Sequence, residues 1–426
     1  MTDTREPGPS LLRHRGFMLL WAGQTVSQTG SQVTILALPL VAIVILKAST
    51  FQVGLLSAAL TSAYLLISLP ARVLADHADK RRIMLCCDLA LLIIIGSVPA
   101  AQTAGVLTLG QLYGVALASG VLSVLFTVAY TSYLPELIEP SQLIDGNGKL
   151  STSQSVAQLA GPSLGALLVG LFGAARAMTG DALSYAASAL CLLLIRTTRP
   201  RSAPARRQQR TRFRSEIGEG LRYVRRDPIL RKAVAWSGTA NFFVIMVETL
   251  GPLFLVRVLH QRPAYVGLIL ALGAAGGIAG GFLSGTLAPR IGSARISWLS
   301  MTVFTLPGLL IPLARPGWQV LLFAAGWTSW TFASTLCGVA LVSYQQATCP
   351  PPLRGRVSAT TRWINWGTLP LGGLTAGALG AALGVHTTLW IAVTGGCLSG
   401  LWLYFSPLRH MRDLPPHRLQ PSTAHP

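Results

Sequence analysis

An acid inside an apolar run is the feature with the most chemical consequence in this chain. Glu248 lies twelve residues past Trp236, in a stretch with no other charge, and Asn241 stands seven residues before it on the same helical face. A carboxyl in such a setting persists only when it is paired, protonated or open to water, so it is a candidate for loading and releasing a proton in each cycle of an exchanger. Asp181, close to Arg176, is a second candidate for that work or for a structural ion pair, and Asp88 lies within reach of Arg81 and Arg82. Gln24, Gln28 and Ser31 or Gln32 recur at helical spacing. A polar stripe of this kind is costly against lipid and belongs beside a cavity. Trp327, Trp330, Trp363, Asn365 and Trp366 offer an aromatic and amide wall for a flat or apolar molecule.

Two other chemistries are excluded. Gly161-Pro162-Ser163-Leu164-Gly165 satisfies the hydrolase pattern Gly-x-Ser-x-Gly, but that pattern needs a strand-to-helix turn and a His-acid pair, and here it lies inside an apolar run. The six cysteines have neither the spacing of a disulfide framework nor that of a zinc site. No metal or organic cofactor is expected, a proton gradient being the energy source, and the chain is not expected to be an enzyme.

The elements that must position these residues follow from composition. The chain has 426 residues, 51% apolar and 11% charged, where soluble domains run near a quarter charged. The surplus must face lipid. Uncharged runs long enough to span place helices at 16–46, 52–75, 83–103, 107–130, 150–172, 175–195, 229–258, 264–288, 295–313, 318–344, 357–383 and 387–405. This predicts an all-α membrane protein of twelve transmembrane helices.

The net charge of +20 is a topology signal and not a nucleic-acid footprint. With both termini cytoplasmic, 29 of the 34 Lys and Arg residues fall on the inner side. That orientation predicts a multi-pass protein of a cell membrane, a bacterial inner membrane being expected. Composition breaks once, between Ile195 and Ile229. The expected organisation is a cytoplasmic tail at 1–15, a six-helix bundle at 16–195, an Arg-rich cytoplasmic linker at 196–228, a second six-helix bundle at 229–406 and a cytoplasmic tail at 407–426. In the linker Ile217, Leu221 and Val224 recur opposite Arg222, Arg225 and Arg226, which predicts an amphipathic helix on a membrane surface with anionic lipid as its partner.

The two bundles echo each other. Trp21-Ala22-Gly23 is answered by Trp236-Ser237-Gly238, Arg72 to His77 by Gly285 to Arg290, and Gly161-Pro162 by Leu369-Pro370, with Gly165 and Gly373 each three residues past the Pro. Repeated halves of this kind enclose a binding site in many transporters.

The loop after the second helix reads Arg72, Asp76, His77, Asp79, Lys80, Arg81, Arg82. It resembles the major facilitator superfamily pattern of Gly, three residues, Asp, Arg, one residue, Gly, then basic residues, with Arg72 and His77 departing from it. Gly148, Ala157, Gly161, Pro162, Gly165 and Ala166 resemble the antiporter motif of exporters, with Ala in place of two glycines. Asp181-Ala182-Leu183-Ser184-Tyr185 and the stretch from Glu219 to Arg226 are similar to segments of the drug and siderophore exporter branch, which includes enterobactin exporters and macrolide-efflux proteins. The resemblance covers about residues 13–406.

It implies a secondary exporter in which two pseudo-symmetric six-helix bundles give alternating access to a cavity holding an amphipathic drug-like or siderophore-like molecule. It also implies that Asp76, Asp79 and the basic run form a gate, latched by ion pairs to neighbouring helices and to the region from Arg354 to Arg362. The Arg that drug antiporters carry in the fourth helix is missing here. The alternatives are a nutrient importer of the same fold, against which the Gly161-Pro162 motif weighs, and a membrane-embedded enzyme, against which the lack of a metal cluster weighs. The protein is expected to be monomeric.

Overall fold

A computed structural model describes residues 11–77, 79–195 and 213–414, with the backbone alone at several positions, among them 68–77 and Arg354. Every expected span is helical. In chain order they are α1 (Arg15–Leu40), α2 (Thr50–His77), α3 (Lys80–Thr103), α4 (Leu109–Leu137), α5 (Leu143–Phe172) and α6 (Ala174–Leu194), then the linker helix α7 (Phe213–Arg226). The second series is α8 (Pro228–Leu253), α9 (Pro263–Ile291), α10 (Ser293–Leu299) continued irregularly into α11 (Leu310–Leu313), α12 (Val320–Thr348), α13 (Pro351–Leu383), and α14 (Val385–Ser399) followed by α15 (Leu401–Tyr404). Among the described residues nine helical stretches are long and apolar enough to cross a bilayer. Large apolar side chains such as Phe282, Ile93 and Leu171 stand exposed on them. Lipid is the solvent that accepts such a surface, and a helix meets most of its backbone polar groups from within.

The repeat read from the letters has a structural counterpart that the letters hid. Pro39 and Pro252 sit 213 residues apart, the offset that relates Arg72 to Gly285. Shortly after each Pro the helix widens into a π-helical segment, Val41–Ile45 and Phe254–Val258. Leu46 N–H then donates to the Val41 carbonyl and Leu259 N–H to the Phe254 carbonyl. Each segment ends on a left-handed residue that is not glycine, Lys47 at φ 48° and His260 at φ 53°. A Pro removes one donor from the ladder, and a wider turn reassigns the freed carbonyls.

The chain separates into two compact units whose borders cut across the two helix series. The first comprises Met1–Ala205 with Glu248–Ala271 and Gly373–Val385; the second comprises Arg206–Val247, Leu272–Gly372 and His386–Pro426. In the first unit Phe17, Leu20, Met84, Cys87, Ala129, Leu134 and Leu192 form one apolar core. The later segments are fastened to the first six helices by specific contacts. The Thr249 hydroxyl donates to Ser57 Oγ at 2.8 Å, the Arg257 guanidinium donates to the Ala48 carbonyl, and Gly54 of α2 lies directly against Gly377 of α13. Small residues permit such close helix approach in lipid.

In the second unit Trp236, Met301, Ala333, Cys337, Leu341 and Leu403 form the core. Here α7 does more than float on a bilayer. Val224 is buried among Val234, Cys349 and Val357, and Gly220 meets the Arg356 carbonyl. Glu219 pairs with Arg356, and the Tyr223 hydroxyl donates to the Thr348 carbonyl at 3.0 Å. Burial pushes the Tyr223 phenol above its ordinary pKa. The Val224 face of the helix thus packs on the turn between α12 and α13, and Arg222, Arg225 and Arg226 remain exposed.

Candidate functional site

Helix α8 is the most enclosed of the nine apolar stretches, and between Lys232 and Val256 Glu248 is its single exposed residue. Its neighbours Ile245, Met246, Val247, Thr249 and Leu250 are all buried. A lipid-facing helix shows a whole stripe of exposed apolar side chains, as α9 does with Leu268, Leu272 and Phe282. One exposed carboxylate on an otherwise covered helix has instead the exposure of a group that lines open space. Asn241, two turns earlier on that face, is half-buried.

The polar stripe of α1 has the same design. Gln28 is half-buried, its amide donating to Gln24 Oε1 at 3.5 Å, and Gln24 is almost covered. Gln28 and Asn241 are 213 residues apart, so the two amides occupy equivalent places in the repeat. The residue equivalent to Glu248 is Ile35, which sequence reasoning missed. It is 54% exposed among buried Val33, Thr34, Leu36 and Ala37. The Pro39 and Pro252 correspondence, read at the same offset, was the signal that would have found it.

Gln32 stands apart from the stripe. A Cβ on Gly161 of α5 would lie 2.3 Å from Gln32 Cβ, and one on Gly165 would lie 3.3 Å from Val33 Cα, so these two glycines of the antiporter-like motif seat α1 against α5. Pro162 lies between them in a helix that continues unbroken to Phe172. On the same helix Ala166 receives Gly267 of α9.

Trp330 is corrected from a cavity wall to a packing residue. It is 1% exposed, and its ring fills the slots above Gly308 and Gly396, where a Cβ on Gly396 would come within 2.0 Å of it. Trp327 is likewise laid over Gly273. Asn365 of α13 is half-buried with its side-chain carbonyl unpartnered among the described residues. Trp363 is exposed, and Arg362 stacks over Trp366 at 5.3 Å.

The basic run after α2 makes its bonds to neighbouring helices of the first unit. Asp79 caps α3 by accepting from Arg82 N–H at 3.2 Å, and Lys80 pairs with Glu136 at the end of α4. Arg81 donates to the Leu192 and Leu193 carbonyls at 2.8 and 2.9 Å, where a cation meets the negative end of α6. The side chains of Asp76 and Arg354, both parts of the expected latch, lie outside the described residues.

Asp88 does not join Arg81 or Arg82 as expected. Two turns separate it from Arg81, whose guanidinium is committed to the α6 carbonyls, and Asp88 is fully buried beside Ser188. Asp181 is fully buried too, forming no ion pair with exposed Arg176, and accepts from the Ser184 hydroxyl at 3.2 Å. No group of three His, Cys, Asp or Glu side chains among the described residues could hold a metal ion.

The family model described as transmembrane secretion effector matches residues 8–423. The multidrug efflux pump Tap of Mycolicibacterium fortuitum is 25% identical, covering 97% of this chain and 99% of that protein. Macrolide efflux protein A of Streptococcus pyogenes is 24% identical, covering 93% and 97%. The crystal structure of the nucleoside transporter NupG superposes with a TM-score of 0.70 at 12% identity, over 91% of this chain and 98% of that one. A chain matched over nearly its whole length by this model, with this helix series and this repeat, belongs to the transmembrane secretion effector family of the major facilitator superfamily and is a membrane transporter, not an enzyme.

Proposed function

We infer that the protein is an efflux pump of the cell membrane that exports an amphipathic drug-like or siderophore-like molecule by alternating access, in exchange for protons. The observation that carries this reading is the exposed carboxylate of Glu248 on the most enclosed span, because an acid is kept in a bilayer where it faces water and works. Further support comes from whole-length relatives whose names are those of efflux pumps, and from the Gly161 and Gly165 seat for α1. In this reading Gln28 offers the cargo an amide hydrogen bond, Ile35 an apolar contact and Glu248 a charge. Both termini face the cytoplasm, and Arg222, Arg225 and Arg226 meet anionic headgroups there.

The test is efflux of a fluorescent macrolide from proteoliposomes under an imposed pH gradient. Glu248→Gln is expected to lower gradient-driven efflux at least about tenfold while the purified protein still binds the macrolide, as removal of one essential proton carrier requires. Unchanged gradient-driven efflux in that variant discards Glu248 as the coupling acid. Growth of a pump-deficient host across antibiotic classes and iron chelators then assigns the cargo.

A further inference from the structure

The first unit contains a second acidic centre that the transport reading does not use. Gly30 of α1 is pressed against α6, where a Cβ would lie 2.2 Å from Ser184 Oγ and 2.7 Å from Asp181 Oδ1. Gly23, two turns earlier, meets the Ser188 backbone in the same way. Along this seam lie Ser31, whose hydroxyl is 2.8 Å from that of Tyr185, and Thr34, whose covered hydroxyl lies beside the Asp181 carboxyl. Tyr185 stands between Asp181 and Asp88 of α3, and Asp88 is flanked by Cys87, Ser188 and Cys191. Both acids are fully buried, and no Lys, Arg or His among the described residues pairs with either.

An ionised carboxylate sealed from water without a counter-charge costs several kcal/mol, so something must neutralise it. A metal ion needs several ligands around it, and no group of three or more His, Cys, Asp or Glu side chains among the described residues could hold one. A proton needs no space.

We propose that Asp181, with Asp88 beyond Tyr185, is a proton-binding site sealed in the seam of α1, α3 and α6, loaded while α1 lies on α6 at Gly30 and released when that contact opens. Loading converts a carboxylate and a hydronium ion into a carboxylic acid and a water; release is the reverse. Because α1 also carries Gln24 and Gln28, its departure from α6 would link proton release to movement of the polar stripe. The site is separate from Glu248, and each stands without the other.

The test is infrared spectroscopy of the purified full-length protein, reading the carboxylic-acid C=O band as the pH is stepped through neutrality. Glu248→Gln serves as the background, so the band near pH 7 reports buried acids other than Glu248. Asp181→Asn in that background is expected to remove roughly half of the band, one of two neutral acids. In the unsubstituted protein, ¹³C-labelled aspartate is expected to shift the band, a reading that needs no variant to fold. Gly30→Ala, which forces α1 from α6, is expected to move the midpoint to lower pH. The proposal is overturned by the lack of an acid band near neutrality in the background protein, by a band untouched by Asp181→Asn or by the label, or by loss of the band when sodium or calcium is added at constant pH.

Discussion

Replacing Gly54 by alanine should unlatch α2 from α13. The added Cβ would lie 2.4 Å from Gly377 Cα and 2.7 Å from both the Gly373 carbonyl oxygen and the Gly377 nitrogen. All three are backbone atoms, which cannot swing aside as a side chain does. Carbon atoms rest at about 3.5–4.0 Å, so the two helices must part by roughly 1 Å at this crossing. Overpacking of this size costs about 1–3 kcal/mol. The cost falls only on arrangements that contain the contact, so the balance shifts towards those that lack it by about 5- to 150-fold. Ser57, one turn away and bonded to Thr249, reports the event. In a cysteine-free background carrying Ser57→Cys, Gly54→Ala should raise the rate of maleimide labelling at least about fivefold. Gly285→Ala, whose Cβ meets nothing within 4 Å, should leave it unchanged. Equal labelling in all three proteins would refute the reasoning, because it would mean that α2 and α13 are not held together at this glycine pair.

Trp330→Ala should lower the melting temperature strongly, since deleting a buried Trp costs about 3–5 kcal/mol, while the folded fraction keeps its affinity for cargo. Lost affinity with an intact melting temperature would return Trp330 to the substrate wall. At the linker helix, Gly220→Ala places a Cβ 2.4 Å from Thr360 Oγ1 and 2.8 Å from the Arg356 carbonyl, and should undock α7 at a cost of about 1–3 kcal/mol. Glu219→Ala removes a pair that is partly open to solvent and should cost no more than about 1 kcal/mol. Limited proteolysis within 196–228 should therefore be faster in the first variant than in the second, and equal rates would count against packing as the main hold on α7.

The spans were legible because lipid imposes one rule on every residue of a run, so 229–258 in the letters is Pro228–Val258 in space. An acid within an apolar run was legible for the same reason, and its exposure was not. What the letters hid depends on pairs of helices. Trp330 has the composition of a binding wall, and only the glycines at 308 and 396, on other helices, reveal that slots are cut for it. Asp88 lies on the same face as Arg81, but the distance along the axis and the competing carbonyls of α6 decide against the ion pair. The linker helix is Phe213–Arg226 in space, and the occupant of its Val224 face was not legible, because protein and lipid offer that face the same chemistry.

The paired breaks after Pro39 and Pro252 bear on ancestry. Lys47 and His260 are different residues and a non-glycine residue seldom takes a left-handed backbone, yet both take it at matching places. Torsion angles that match where the letters differ are what duplication of an ancestral half would leave. The halves are best aligned on this shared kink, and an alignment so anchored sets Glu248 opposite Ile35, a carboxyl in one half answering an alkyl side chain in the other.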